Sequence, residues 1–225
     1  MIGTLTLYQT TIGKKVVMAV TGVILFGYVF VHMLGNLKIY QSADKINAYG
    51  VFLREVGAPL LYEQQLLWSA RVILLAATVL HIWAAYQLTR RDLAARPVGY
   101  AVRKNIAQGY AARTMRWGGV LIALFIVYHV LHLTTGTVHP AFDKEDIYGN
   151  LVSGFRVWPV SLFYIVAMIA LGLHIYHGVW SMMQTLGAKN RSNDRFWRGF
   201  ATVFALAITL GNISVPVSVL LGIVR

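Results

Sequence analysis

Five stretches of this chain are each long and apolar enough to cross a membrane, and that leaves few folds open. They run approximately over residues 16–37, 66–89, 117–138, 158–186 and 200–224. A helix rises about 1.5 Å per residue and the hydrocarbon layer is about 30 Å thick, so roughly twenty apolar residues suffice. Of the 225 residues, 57% are hydrophobic and only 12% are charged, an apolar share that soluble domains rarely reach. The expectation is an all-α integral membrane protein: one membrane domain over 1–225 with five transmembrane helices. The first run is too long for a signal-peptide core, and no small-x-small cleavage site closes it, so it reads as a retained helix.

Lysine and arginine placement orients the helices. With the N-terminus inside, the inner segments hold Lys14, Lys15, seven basic residues from Arg90 to Arg116 and four from Lys189 to Arg198. The outer segments hold Lys38, Lys45, Arg54, Lys144, Arg156 and Arg225, while six of the eight acids also lie there. The inner face is thus strongly basic and the outer face near neutral, so the N-terminus is expected in the cytoplasm. The formal net charge of +12 needs no nucleic acid to explain it, because nearly all of it falls on one membrane face. That face also suits a docking partner protein. In the outer loop, Ser42 is a plausible N-cap. Ile46, Tyr49, Leu53 and Val56 recur at helical spacing, which fits a short helix lying on the membrane surface or packed on the other helices.

The chain has seven histidines and no cysteine. Ionisable residues inside a bilayer are expensive and mark functional sites. Four of them, His32, His81, His129 and His174, fall one per span on the first four spans. Counted from the outer boundaries, His81 and His174 both lie 16 residues deep, on spans two and four; His32 lies 6 and His129 10 residues deep, on spans one and three. In a four-helix bundle taken in chain order, spans one and three are diagonal, and so are two and four. Each pair can face inward and clamp one flat macrocycle, and bundle cores commonly hold such sites. The pattern predicts a bundle of four helices holding two bis-histidine haems, with the fifth span flanking it. By depth alone His132, 7 residues in, matches His32 better than His129 does. Residues three apart can share a helix face, so sequence geometry separates neither His132 from His129 nor His177 from His174. His139, at the outer boundary before Pro140, reads as interfacial. Without cysteine, the chain supplies no ligand for an iron–sulphur cluster, no covalent c-type haem attachment and no thiolate axial ligand.

Arg71 is the one charge within a span, placed either to snorkel outward or to face propionates of the outer haem. Lys15, Arg113 and Arg116 are candidates for the inner propionates or a quinone oxygen. Gly27, Gly35, Gly136, Gly172 and Gly178 could make room for a macrocycle, although glycine also serves ordinary helix contacts in membranes.

The runs Gly13-Lys14-Lys15, Met18-Ala19-Val20-Thr21-Gly22 and His32-Met33-Leu34-Gly35-Asn36-Leu37 resemble the start of the single-chain, two-haem cytochrome b subunit of succinate dehydrogenase and fumarate reductase. Ile46-Asn47-Ala48-Tyr49-Gly50-Val51-Phe52-Leu53, Phe125-Ile126-Val127-Tyr128-His129 and His174-Ile175-Tyr176-His177-Gly178-Val179-Trp180-Ser181 look like later motifs of the same family. The match around His81 rests on position more than on motif. The resemblance implies His129 and His174 as ligands rather than His132 and His177, with His32 paired to His129 and His81 to His174. It implies two haem b groups, exchange of electrons with a quinone (menaquinone in two-haem members), and no succinate site on this chain. It also implies an FAD-containing subunit and an iron–sulphur subunit on the cytoplasmic face, a multi-pass location in a bacterial cytoplasmic membrane, and a complex open to further oligomerisation. The extra His132 and His177 depart from a pattern of one ligand per helix.

Two other readings make different demands. The quinol-oxidising cytochrome b of respiratory chains places two ligands on one helix about a dozen residues apart, a spacing no two histidines here show within a span. A proton channel or transporter would favour carboxylates within the spans, and all eight acids lie outside them. Spacing alone does not separate the haem anchors of formate dehydrogenase or hydrogenase from the leading reading.

Overall fold

The computed structural model describes residues 4–95 and 110–225, and among these it is all α-helix with no strand. A short helix α1 (Thr4–Gln9) leads into α2 (Thr11–Asn36). Thr10 makes the break: its extended backbone (φ −77°, ψ 160°) ends α1, and its side chain caps α2 by accepting from the Gly13 N–H at 2.9 Å. Then come α3 (Ala43–Glu55), α4 (Gln65–Ala94), α5 (Tyr110–Leu133), α6 (Ile147–Arg156), α7 (Trp158–Thr185) and α8 (Asp194–Leu220). Five of these, α2, α4, α5, α7 and α8, are long and apolar enough to cross a membrane, with mean hydropathy between 1.6 and 2.2.

Apolar length makes these helices, but hydroxyls inside them need partners. Thr21 bonds back to the Val17 carbonyl, Thr185 to Ser181, and Thr209 to Ala205, all within 3.0 Å. Such i→i−4 bonds satisfy a hydroxyl where no water can.

The long helices pack in a definite order. Helix α2 lies against α4, α5 against α7, and α7 against α8, while α2 also touches α7 and α8. Neither α2 and α5 nor α4 and α7 pack along one another among the described residues. Nor do α4 and α5, so the contacts run in the order α4, α2, α7, α5, and α8 lies against α2 and α7. Helix α4 shows how narrow the inner stripe is. Only Ala77 and Ala84 are buried, and His81 lies between them on the same face. Val72, Ile73, Leu75, Val79, Ile82 and Trp83 point outward, as lipid-facing side chains do.

Two differences from the sequence expectation bear on the site. Helix α5 ends at Leu133 rather than near Val138. Thr134 to Val138 form a turn in which Gly136 takes φ +75°, a conformation that favours glycine, and Phe142 packs against its Cα. Helix α6 was not expected at all. Asp146 caps it by accepting from the Gly149 N–H at 2.9 Å, and it buries Leu151, Val152 and Phe155. In α3, Ser42 is the N-cap, accepting from the Lys45 N–H at 3.2 Å. The α3 stripe rests on the other helices: Ile46 is buried in one core with Ile39, Phe125 and Leu151, and Tyr49 lies against Gly35.

Membrane helices gain little from burying apolar side chains against each other, so close van der Waals contact decides their association. At the α7–α8 seam, a Cβ added to Gly172 would lie 2.1 Å from Thr209 Oγ1. At Gly178 on the same helix, nothing lies within 4 Å. Gly172→Leu is expected to destabilise the folded protein by about 1–3 kcal/mol through overpacking. Gly178→Ala is expected to be near neutral. Thermal unfolding in detergent, followed by monodisperse size-exclusion recovery, reads the difference.

Candidate functional site: two histidine pairs on diagonal helices

Helices that do not pack together are joined at two levels by histidine rings. The ring centroids of His32 on α2 and His129 on α5 are 5.7 Å apart, with planes crossed at 83°. Those of His81 on α4 and His174 on α7 are 6.1 Å apart, crossed at 60°. The registers match within each pair. His32 and His129 each stand four residues before the end of their helix. His81 and His174 each stand sixteen residues after the start of theirs. Counting from His139 had placed His129 deeper than His32; the early end of α5 removes that mismatch.

The spacing can be compared with a metal held between two imidazoles. A metal bound by both imidazoles at about 2 Å from each nitrogen would set the ring centres roughly 6.4 Å apart. The observed 6.1 Å of His81 and His174 is close to that, and the 5.7 Å of His32 and His129 is shorter. Glycines stand beside the inner pair, where a side chain would come into contact with the rings. A Cβ on Gly22 would stand 3.7 Å from His81 Cε1, and one on Gly119 would stand 4.0 Å from His174 Cε1. Gly27, Gly118 and Gly178 open onto space with nothing within 4 Å. Of the glycines singled out in the sequence, Gly27 and Gly178 are among those that face open space. Gly35, Gly136 and Gly172 instead face Tyr49, Phe142 and Thr209.

The hydrogen bond at His81 bears on its tautomer. Thr21 Oγ1 donates its one proton to a backbone carbonyl, Val17 at 2.8 Å or Met18 at 3.2 Å. It can then only accept from His81 Nδ1, 3.1 Å away. With the hydroxyl proton on a carbonyl in this way, the His81 proton would sit on Nδ1 and its Nε2 lone pair would be free, the arrangement a metal-ligating histidine needs. His174 Nδ1 is buried and has no hydrogen-bond partner among the described residues.

The competing histidines stand elsewhere. His132, only 1% exposed, turns away from His32 and stacks near His139, with centroids 4.8 Å apart. Its Nδ1 is 3.0 Å from the Tyr164 hydroxyl, and its Nε2 is buried without a partner among the described residues. An unpaired buried donor costs about 1–3 kcal/mol. The Tyr164 hydroxyl is also 3.3 Å from His129 Nδ1. His177 is half-buried beside Trp180, at 6.2 Å between centroids. His139 clamps the loop onto α6, its Nε2 2.9 Å from the Asn150 carbonyl while its Nδ1 accepts from the Ala141 N–H.

The charges differ from expectation. Lys15 is exposed, and Arg116 pairs with Asp92 at 3.4 Å. The Arg113 side chain, and most of the basic loop from Arg90 to Arg116, lie outside the described residues. The cation that is buried is Lys14, 5% exposed, with Nζ 2.5 Å from Gln87 Oε1 and 4.4 Å over the Tyr8 ring. Arg71 is exposed and stacks 4.8 Å over Trp68, the geometry of a side chain reaching along the helix surface. At the basic end Asp194 gathers Lys189 and Arg198, each at 2.8 Å, and the Trp180 indole N–H at 3.1 Å, tying α7 to α8.

Tyr164 had not been singled out by sequence reasoning, and Thr21 and Lys14 had been named only within motif runs and the charge count, with no role at the site. The available signal was a polar group in an apolar helix one or two turns from a histidine's level on a neighbour. In comparisons with family models, with curated proteins and with solved structures, nothing matches the chain.

Proposed function

We propose that this chain is the di-haem b membrane anchor of a succinate:quinone oxidoreductase. The observation that carries the proposal is the meeting of four histidines in two pairs, at two levels, across helices that are otherwise apart. Two imidazoles alone are a poor cage for a bare ion, which wants four or more ligands. A macrocycle brings four of its own. When bound, the two haems would relay single electrons along the membrane normal between an iron–sulphur partner and a quinone, menaquinone being the expected one.

The chain's residues have distinct tasks in this reading. His32 and His129 hold the outer group, and His81 and His174 the inner one. Thr21 keeps His81 in the tautomer whose Nε2 is free. The glycines beside the inner pair keep the space clear, and the apolar helices exclude water. The basic end faces the cytoplasm, as the lysine and arginine bias requires. It docks the iron–sulphur and FAD-containing subunits, on which succinate or fumarate reacts. Lys14, buried at that same end among neutral partners, fits an anionic group arriving there better than Lys15 does. The location proposed is a bacterial cytoplasmic membrane, in a complex that can associate further.

Substitution of the ligands tests the proposal. In purified protein, His81→Ala or His174→Ala is expected to lower the pyridine haemochrome count from two haems to one. His32→Ala or His129→Ala is expected to remove the other haem, at a distinguishable α-band. Variants that insert normally and keep both haems would overturn the assignment. Thr21→Val removes the acceptor for His81 Nδ1–H and is expected to weaken retention of the inner haem about 10- to 100-fold. Transfer of haem to excess apomyoglobin measures it, with Thr202→Val as a control at an exposed hydroxyl.

A further inference from the structure

The geometry points to Tyr164 and His132 as a positioning relay for His129: the tyrosine hydroxyl accepts from His129 Nδ1–H and donates to His132 Nδ1. This inference rests on the proposed role of His129 as a haem ligand, and it goes beyond ligation to how that ligand is oriented and tuned.

One hydroxyl stands between two imidazole nitrogens, 3.3 Å from His129 Nδ1 and 3.0 Å from His132 Nδ1. It has one proton to give. If His129 offers Nε2 to a metal, its proton must sit on Nδ1. The only role then left to Tyr164 toward His129 is acceptor. The hydroxyl proton consequently points to His132 Nδ1, which must carry a lone pair. His132 is thereby fixed as the Nε2–H tautomer.

The rest of the pocket agrees with this order. Tyr164 is held edge-on by Phe125 and by Phe155, each 4.9 Å away between centroids, so its hydroxyl cannot swing out of line. His132 cannot turn to serve as a ligand itself. A Cβ on Gly154 would meet its Cε1 at 2.7 Å and its Nε2 at 2.9 Å, so the ring is pinned between α6 and Tyr164. His139 offers it no help, because both its nitrogens are already engaged. A fully buried imidazole with one orphaned nitrogen is an unfavourable packing residue, and an apolar side chain would fill the site without that penalty. What the imidazole adds is an acceptor for Tyr164. Among the described residues the His32 side of the pair has no such relay: His32 is backed by the Tyr28 ring at 5.3 Å, stacked rather than hydrogen-bonded.

A hydrogen bond accepted from Nδ1–H makes a ligating imidazole more basic, which favours the oxidised metal and lowers the potential. Chains of such bonds reinforce one another. Tyr164→Phe therefore should leave two haems per chain and raise the midpoint potential of the haem lost in His129→Ala, with the other haem unmoved. His132→Leu should move the same midpoint in the same direction by less. His132→Gln keeps an acceptor for Tyr164 and should restore the wild-type value. Potentiometric titration of the purified protein reads the midpoints, and low-spin ferric EPR confirms that bis-histidine ligation persists. If Tyr164→Phe leaves both midpoints at wild-type values or shifts both equally, the relay is wrong. If His132→Leu removes a haem, His132 is the ligand and the relay is again wrong. A wild-type protein without haem would instead overturn the underlying proposal before any variant is compared.

Discussion

Hydrocarbon offers no hydrogen bonds, so each polar group placed within a membrane helix must find its partner in the protein. The described part of this chain meets that demand twice over. Backbone groups are satisfied by helix formation, and threonine and serine hydroxyls turn back onto the preceding turn. The imidazoles cannot be satisfied that way, because a ring with two nitrogens on opposite sides outreaches its own helix. Four of them look across to another element, while His174 Nδ1 and His132 Nε2 are buried with no partner among the described residues. His81 reaches Thr21, His129 and His132 share Tyr164, and His139 reaches α6. The rings of His81 and His129 also stand 6.1 Å and 5.7 Å from those of His174 and His32.

That facing arrangement explains the packing around it. If α2 and α5, or α4 and α7, packed directly, the rings could not stand about 6 Å apart. The close seams are elsewhere: α7 meets α8 through Gly172 and Thr209, and α2 meets α8 where Gly211 receives Met33. Helix α8, without a histidine, closes the side of the set. In the proposed reading the two seams act as the rigid frame, and the diagonal gaps are where flat groups are held. Helix α6 completes the far end by supplying Gly154 and Phe155 against His132 and Tyr164.

Much of this was legible in the chain itself. The apolar runs give the five long helices because membrane helices announce themselves by length. The pairing of His81 with His174 followed from equal depth, since helical rise converts residue count into height. That of His32 with His129 did not, because His132 is the nearer match by depth; in the fold His129 is the ring beside His32, and His132 lies beside His139. The end of α5 was misplaced because Thr134 to Val138 is apolar enough to pass for helix, while the decisive feature is the positive φ of Gly136. Helix α6 escaped notice because its ten residues are too short to span a membrane. Lys14 and Lys15 are equivalent in sequence, and only packing against Tyr8 and Gln87 makes one of them buried.

The central claim is that the two histidine pairs hold two haems b. The most direct measurement is the dithionite-reduced minus oxidised spectrum of the purified full-length protein, with haem counted per chain. The account predicts a b-type spectrum, two haems per chain and low-spin ferric signals of bis-imidazole ligation. A colourless preparation that is folded and fully inserted in the membrane would contradict it.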